Sequence, residues 1–207
     1  MIYLKFVLSL LLLLSCTTSA FSQQEMRIAV LNFENRSSSG GNKYSLKAAD
    51  LMMTELAKGG AFTVIERQRL DAVMREQDFQ NSGNVDPQTA VRIGKMLGVD
   101  AIVLGTIEKL GTGKQTTRVG DSTITNYNSQ VEVNIRAVSV QTGAILFSDS
   151  EEASAASKSA SVPGFDMGTN APSVDGPLKT SIQKLARKMT DAIKKTGRPA
   201  KKQPAVL

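Results

Sequence analysis

Between Glu66 and Asp78 the chain packs seven ionisable side chains: Glu66, Arg67, Arg69, Asp71, Arg75, Glu76 and Asp78. Two carboxylates held apart in a cleft could serve as general acid and base. The spacing argues otherwise. Arg67 and Asp71, and Asp71 and Arg75, stand four residues apart, where side chains meet on one side of a helix. Carboxylates neutralised by arginines stay ionised and suit neither role near neutral pH. The cluster therefore reads as the salt-laced outer face of a helix whose inner face is Leu70, Val73 and Met74. Glu66-Arg67, at the corner where a strand meets this helix, is expected to close that corner.

Other chemistry is limited by composition. The 207 residues contain no His, no Trp and a single Cys. Triads built on imidazole, His zinc ligands, cysteine clusters and internal disulfides are all excluded. Gly111-Thr112-Gly113-Lys114 has the look of a phosphate loop. However, Gln115 follows the lysine where Ser or Thr should stand, and Glu108 occupies the place of the leading glycine. No cofactor, no metal and no catalytic residue is expected, and the chain is read as a non-enzyme.

Alternating strand and helix patterns hold these residues. Arg27 to Phe33 is an apolar run of the kind buried on both faces of a sheet. Tyr44 to Lys58 has Leu46, Ala49, Met53 and Leu56 at helical spacing, with Gly59 as its stop. Phe62 to Ile65 predicts a strand and Gln68 to Asp78 a helix, followed by a polar loop. Asp86-Pro87 starts another helix, lined by Ala90, Ile93 and Leu97 and ended by Gly98. Asp100 to Ile107 is a third buried strand. Val131, Val133, Ile135 and Ala137 alternate with Glu132, Asn134 and Arg136, a strand with one wet face. Val138 and Val140 point to a bulge or a second buried face, and Gln141 to Gly143 turns into a strand over 144–148. Leu178, Ile182, Leu185, Met189 and Ile193 mark a long C-terminal helix. The class is α/β, a mixed sheet with helices packed on it.

The first 22 residues read as an export signal, with Lys5 before an apolar run from Phe6 to Leu14. Leu13-Leu14-Ser15-Cys16 resembles a lipobox, which would make Cys16 the lipidated first residue of the mature chain. Thr18-Ser19-Ala20 and Ala20-Phe21-Ser22 resemble ordinary cleavage sites, so the choice of peptidase stays open. Without Lys5 the balance is 24 bases to 19 acids, and five of those bases lie between Lys194 and Lys202. Residues 197–207 are expected to form a basic disordered tail, and nucleic acid is not an expected partner.

Three stretches, in order, resemble the curli production assembly/transport (CsgG) family. They are Glu66-Arg67-Gln68-x-Leu70-x-x-Val73-Met74-x-Glu76-Gln77, Val99 to Ile107, and Val133 to Val140 with Thr142-Gly143 and Ile145-Leu146. The resemblance implies a single domain over residues 26–196 and an outer-membrane lipoprotein at the periplasmic face. Such a protein acts as an oligomer that secretes fibre or other protein subunits. It also implies two barrel hairpins, which fall at 111–128 and 150–174. Within them Val119, Thr123, Thr125 and Tyr127 form one thin apolar stripe, and Ala153, Ala155 and Ser157 a thinner one. A constriction loop is implied after the first strand, here Ser37, Ser38, Ser39, Gly40, Gly41 and Asn42, with no aromatic side chain before Tyr44. The alternative is a non-pore periplasmic lipoprotein that docks on an envelope partner, similar to penicillin-binding-protein activators or the N-terminal domain of TolB.

Overall fold

The computed structural model describes residues 25–76, 85–162, 165–167 and 171–196. Seven strands form one mixed sheet: β1 (Met26–Val30), β2 (Glu34–Asn35), β3 (Phe62–Val64), β4 (Ala101–Val119), β5 (Ser122–Ser139), β6 (Ile145–Val162) and β7 (Phe165–Met167). The order is β3-β1-β4-β5-β6-β7, and β2 pairs with β4 off that path. Pairing is parallel for β1–β3, β1–β4 and β2–β4, and antiparallel from β4 onward.

Four helices cover the sheet: α1 (Gly41–Lys58), α2 (Arg67–Glu76), α3 (Pro87–Leu97) and α4 (Asp175–Thr196). Helices α1 and α4 bury Met52, Leu56, Leu178, Ile182, Leu185 and Met189 against one face, on Ile28, Val30, Val103 and the row Val131–Val133–Ile135–Ala137. Helices α2 and α3 bury Leu70, Met74, Ile93 and Leu97 against the other, on Ala29, Leu31, Ile102, Leu104, Val138 and Val140. β1 is apolar at every position but Arg27, because both of its faces are covered.

Local chemistry sets the helix ends. The Asp86 carboxylate accepts from the N–H groups of Gln88 and Thr89 at 2.9 and 3.0 Å, and Pro87 follows where no donor is needed. Gly98 closes the same helix at φ +65°, a conformation that favours glycine.

The structure corrects several expectations. The inward face of α1 is Ala48, Ala49, Met52 and Leu56, while Leu46 is 38% exposed and Met53 only partly buried. Both sets keep helical spacing, and only the sheet decides which faces inward. The third strand runs on to Val119 instead of ending at Ile107, so 101–119 and 122–139 are single strands closed by a turn at Gly120, φ +59°. An extra residue, Glu108, slips the register between Ile107 and Lys109. This bulge is why Ile107 and Leu110 share a face. On β5 both sequence alternatives occur: Val138 and Val140 enter the second core, and the register with β6 slips between Ala137 and Val138.

Candidate interaction site

Past the core, β4, β5 and β6 continue as a three-stranded ribbon. Gly111–Val119 pairs with Ser122–Gln130, and Thr123–Val131 with Ala153–Ser161, without a break. At about 3.3 Å per residue each outer segment is about 30 Å long. The hairpin expected at 111–128 is this outer end. The one expected at 150–174 is different: β6 is continuous from Ile145, and β7 pairs only with Ala160–Val162. Val174 is buried in the core, and the Ser173 carbonyl accepts from Ser129 Oγ at 3.3 Å.

Register assigns the faces of the ribbon. Thr123, Thr125 and Tyr127 lie opposite Ser161, Ser159 and Ser157, on the face of Val131. Val119 pairs with Ser122 and so lies on the other face, which divides the stripe read from the sequence. Neither face is apolar. The first is mostly Thr and Ser, with the Lys114 ammonium 5.9 Å from the Tyr127 ring centre. The second carries Asn126, Asn128 and Gln130 along β5, with Ile124 and Val119 its exposed apolar side chains near the tip.

A cleft of about 590 Å³ opens at the root of the ribbon, between the Arg36–Ser38 turn, the Glu108 bulge, Gly111–Gly113 and the side chains of Asn128 and Gln130. Asn35 builds the turn. Its amide nitrogen donates to the carbonyls of Ser39 and Gly41, and its Oδ1 accepts from the Ser37 N–H and hydroxyl. Arg36 N–H donates to the Ile107 carbonyl at 3.0 Å and ties the turn to β4. A Cβ on Gly113 would stand 2.2 Å from Asn128 Oδ1, so the carboxamide would have to turn aside. Nothing lies within 4 Å of such a Cβ at Gly111.

The charged groups nearby are paired. Arg36 reaches Glu34 at 2.9 Å and Glu108 at 3.4 Å, and the hydrogen bond to Glu34 foremost raises its pKa. Lys109 meets Glu132 at 2.7 Å and is raised by that contact. Asn134 donates to Glu108 at 3.2 Å, and Gln130 to Glu152. No group of three or more His, Cys, Asp or Glu able to hold a metal occurs among the described residues.

Of the expected constriction loop, Ser37 and Ser38 line this cleft. Ser39 and Gly40 are not among its lining residues, and Gly40 stands at φ +82° with Tyr44 and Leu110 crowding any side chain. Gly41 and Asn42 belong to the first turn of α1, so the loop is shorter than the sequence reading. Cys16 lies outside the described residues. The cleft itself was missed. Its one sequence signal is the slip from Ile107 to Leu110, three residues apart where alternation demands two or four.

The charge cluster is partly reassigned. Arg67 does not spend its guanidinium on a solvated helix face. It donates to Asp50 from Nε at 2.7 Å and to Asn32 Oδ1 from Nη1 at 2.6 Å. It thus closes the corner between β1, α1 and α2.

The family model of the curli production assembly/transport component CsgG matches residues 11–204. The chain belongs to the CsgG family. A search of curated proteins finds no match for this CsgG-family chain. Among solved structures it is similar to the lipoprotein GNA1162 from Neisseria meningitidis, at 16% identity and TM-score 0.51, covering 80% of this chain and 99% of that one. It is also similar to a PelC dodecamer from Paraburkholderia phytofirmans, at 12% identity and TM-score 0.44, covering 80% and 90%. The C-terminal domain of LpoB from Salmonella enterica follows at 16% and 0.40, covering 63% and 85%. The mixed sheet with helices on both faces is that of CsgG-like lipoprotein domains.

Proposed function

We propose that this chain is an outer-membrane-associated component of CsgG type that works as an oligomer in the secretion of fibre or other protein subunits. It makes and breaks no bond. Copies stand side by side, lipid-anchored through Cys16 at the periplasmic face, with their ribbons around a polar passage. The observation that carries this reading is the unbroken continuation of β4, β5 and β6 beyond the core. Each outer segment is as long as the ~9–11 residues of a membrane strand. The family match to a curli production assembly/transport component supports the same reading.

Extraction of outer membranes in mild detergent, sizing of the complex and single-channel recording test it. A ring with conductance is expected. A monomer without conductance, released when Cys16 is replaced by Ala, overturns the pore.

A second reading is favoured by one observation: both ribbon faces are polar, whereas a strand in lipid needs an apolar outward face. In this version the protein is a periplasmic lipoprotein whose ribbon docks on an envelope partner and never enters the bilayer. Retention of the anchored monomer on partner proteins, with no conductance, is its expected outcome.

A further inference from the structure

Below Ile107, β4 has a neighbour on each side. Above it, β2 has left, and among the described residues no strand pairs with the second edge of Lys109–Val119. Every other residue of such an edge presents unpaired N–H and C=O groups, a template for an added strand. Natural sheets blunt long edges by shortening, covering or bending them away. Here the edge carries the Glu108 bulge and the cations Lys109, Lys114 and Arg118, and it opens at its root into the Arg36–Gly113 cleft.

The cleft is shaped for backbone. Gly111 and Gly113 raise no side chain on its floor, so another chain can approach β4 closely. Ser38 and Asn128 bring a hydroxyl and a carboxamide to its rim, groups that both donate and accept and so match a peptide bond without reading a side chain. Its charged lining, Arg36, Glu108 and Lys109, is engaged within the chain. No aromatic ring lines it, as a sugar platform would use.

Charge selects the kind of chain. Across residues 111–130 and 153–162 the bases are Lys114, Arg118 and Lys158, against the single acid Asp121 in the turn. Two of these three, Lys114 and Arg118, stand on β4 itself.

We propose that the second edge of β4, from Lys109 outward, accepts an extended acidic polypeptide segment as an added strand, seated first in the cleft beside Ser38 and Asn128. This inference rests on the reading that the ribbon is the part of the protein that meets other proteins. Main-chain hydrogen bonds supply the affinity and the basic residues the preference. An entering strand continues the line that β2 abandons at Asn35.

The test uses the full-length protein in detergent and three fluorescein-labelled ten-residue peptides. One alternates Thr and Glu, the second Thr and Lys, and the third Pro and Glu. The third has the charge of the first but lacks the donors and the geometry of a strand. Fluorescence anisotropy should show the Thr–Glu peptide binding at least tenfold more tightly than either other peptide, with affinity falling as salt rises. The double variant K114E/R118E should weaken it at least tenfold while its melting transition stays at the parent temperature. Equal binding of the Thr–Glu and Pro–Glu peptides overturns strand addition. So does capture of phosphatidylglycerol vesicles, abolished by K114E/R118E, with no peptide bound. Complex size is read in the same samples. A ring that leaves the peptide unbound overturns this inference alone, and a monomer that binds it overturns only the oligomer reading.

Discussion

Arg67 Nη1 donates to Asn32 Oδ1 over 2.6 Å, joining residues 35 apart in sequence. Asn32 is 3% exposed at the end of the first buried strand, while Arg67 begins α2. One guanidinium thereby satisfies a buried acceptor, pairs with Asp50 and reaches towards the Leu46 carbonyl at 3.5 Å. The corner depends on the fork shape of arginine, which lysine lacks.

Replacing Arg67 by Ala should therefore cost about 1–3 kcal/mol, because a buried acceptor loses a charged donor. Asp50→Ala should cost under about 1 kcal/mol, since that carboxylate is 57% exposed. Arg67→Lys should recover little. Urea unfolding of the three variants checks the order, and equal losses for Arg67→Ala and Asp50→Ala would contradict it.

Phe33 and Gly105 give the second prediction. A Cβ on Gly105 would stand 2.3 Å from the Phe33 ring, which is fully buried. Gly105→Ala overpacks this contact and should lose about 1–3 kcal/mol, even though alanine is the better strand residue. Combining it with Phe33→Leu should cost less than the sum of the two changes, as a double-mutant cycle in urea would show.

Inward and outward positions of the helices can be separated in the same way. Leu185 on α4 is fully buried, and Leu185→Ala should lose about 2–5 kcal/mol. Leu46→Ala should fall within about 0.5 kcal/mol of the parent, because Leu46 faces out. A large loss at Leu46 would mean that another surface covers it.

Acid should weaken the seam between α4 and its neighbours. The Lys188 ammonium, 2.9 Å from Asp149, holds that carboxyl below its ordinary range. Lys47 does the same to Asp175, and Lys58 with Gln183 to Glu55. A carboxyl whose pKa is depressed on folding contributes stability above its unfolded value, and that stability disappears as pH falls through the folded value. The melting temperature should thus decline from about pH 4 downward, the ordinary carboxylate value. Lys188→Met should flatten part of that decline. Lys188 itself is raised, by Glu151 first and then Asp149, so the same pairing also fades at high pH as the ammonium loses its proton. An acid limb with the same slope in Lys188→Met would count against the assignment.

The elements were largely legible because each carries its own periodicity. β1, α3 with its Asp86 cap and Gly98 stop, the wet-faced strand of Val131–Ala137 and the five inward residues of α4 all follow from local pattern. The three motifs that resemble the CsgG family fall largely on α2, on β4, and on β5 with the start of β6. The outer ribbon was not legible as continuous strands. Its Thr, Ser, Gly and Asn residues have no apolar face to set a period of two, and pairing with the next strand is what makes them extended.

By itself, then, the sequence determined the helices and the core strands and which side chains are apolar enough to face a core, since both depend on near neighbours. It also ruled out imidazole chemistry, cysteine clusters and internal disulfides by composition alone. Tertiary structure decided the rest, because these features join residues far apart in the chain. They are the inward face of α1, the Glu108 bulge that turns β4 over, and Arg67 bonded to Asn32 instead of facing water. To these it adds the open edge of β4 with a cleft at its root. An unpaired edge is a property of what is missing beside a strand, and no local pattern within that strand can encode it.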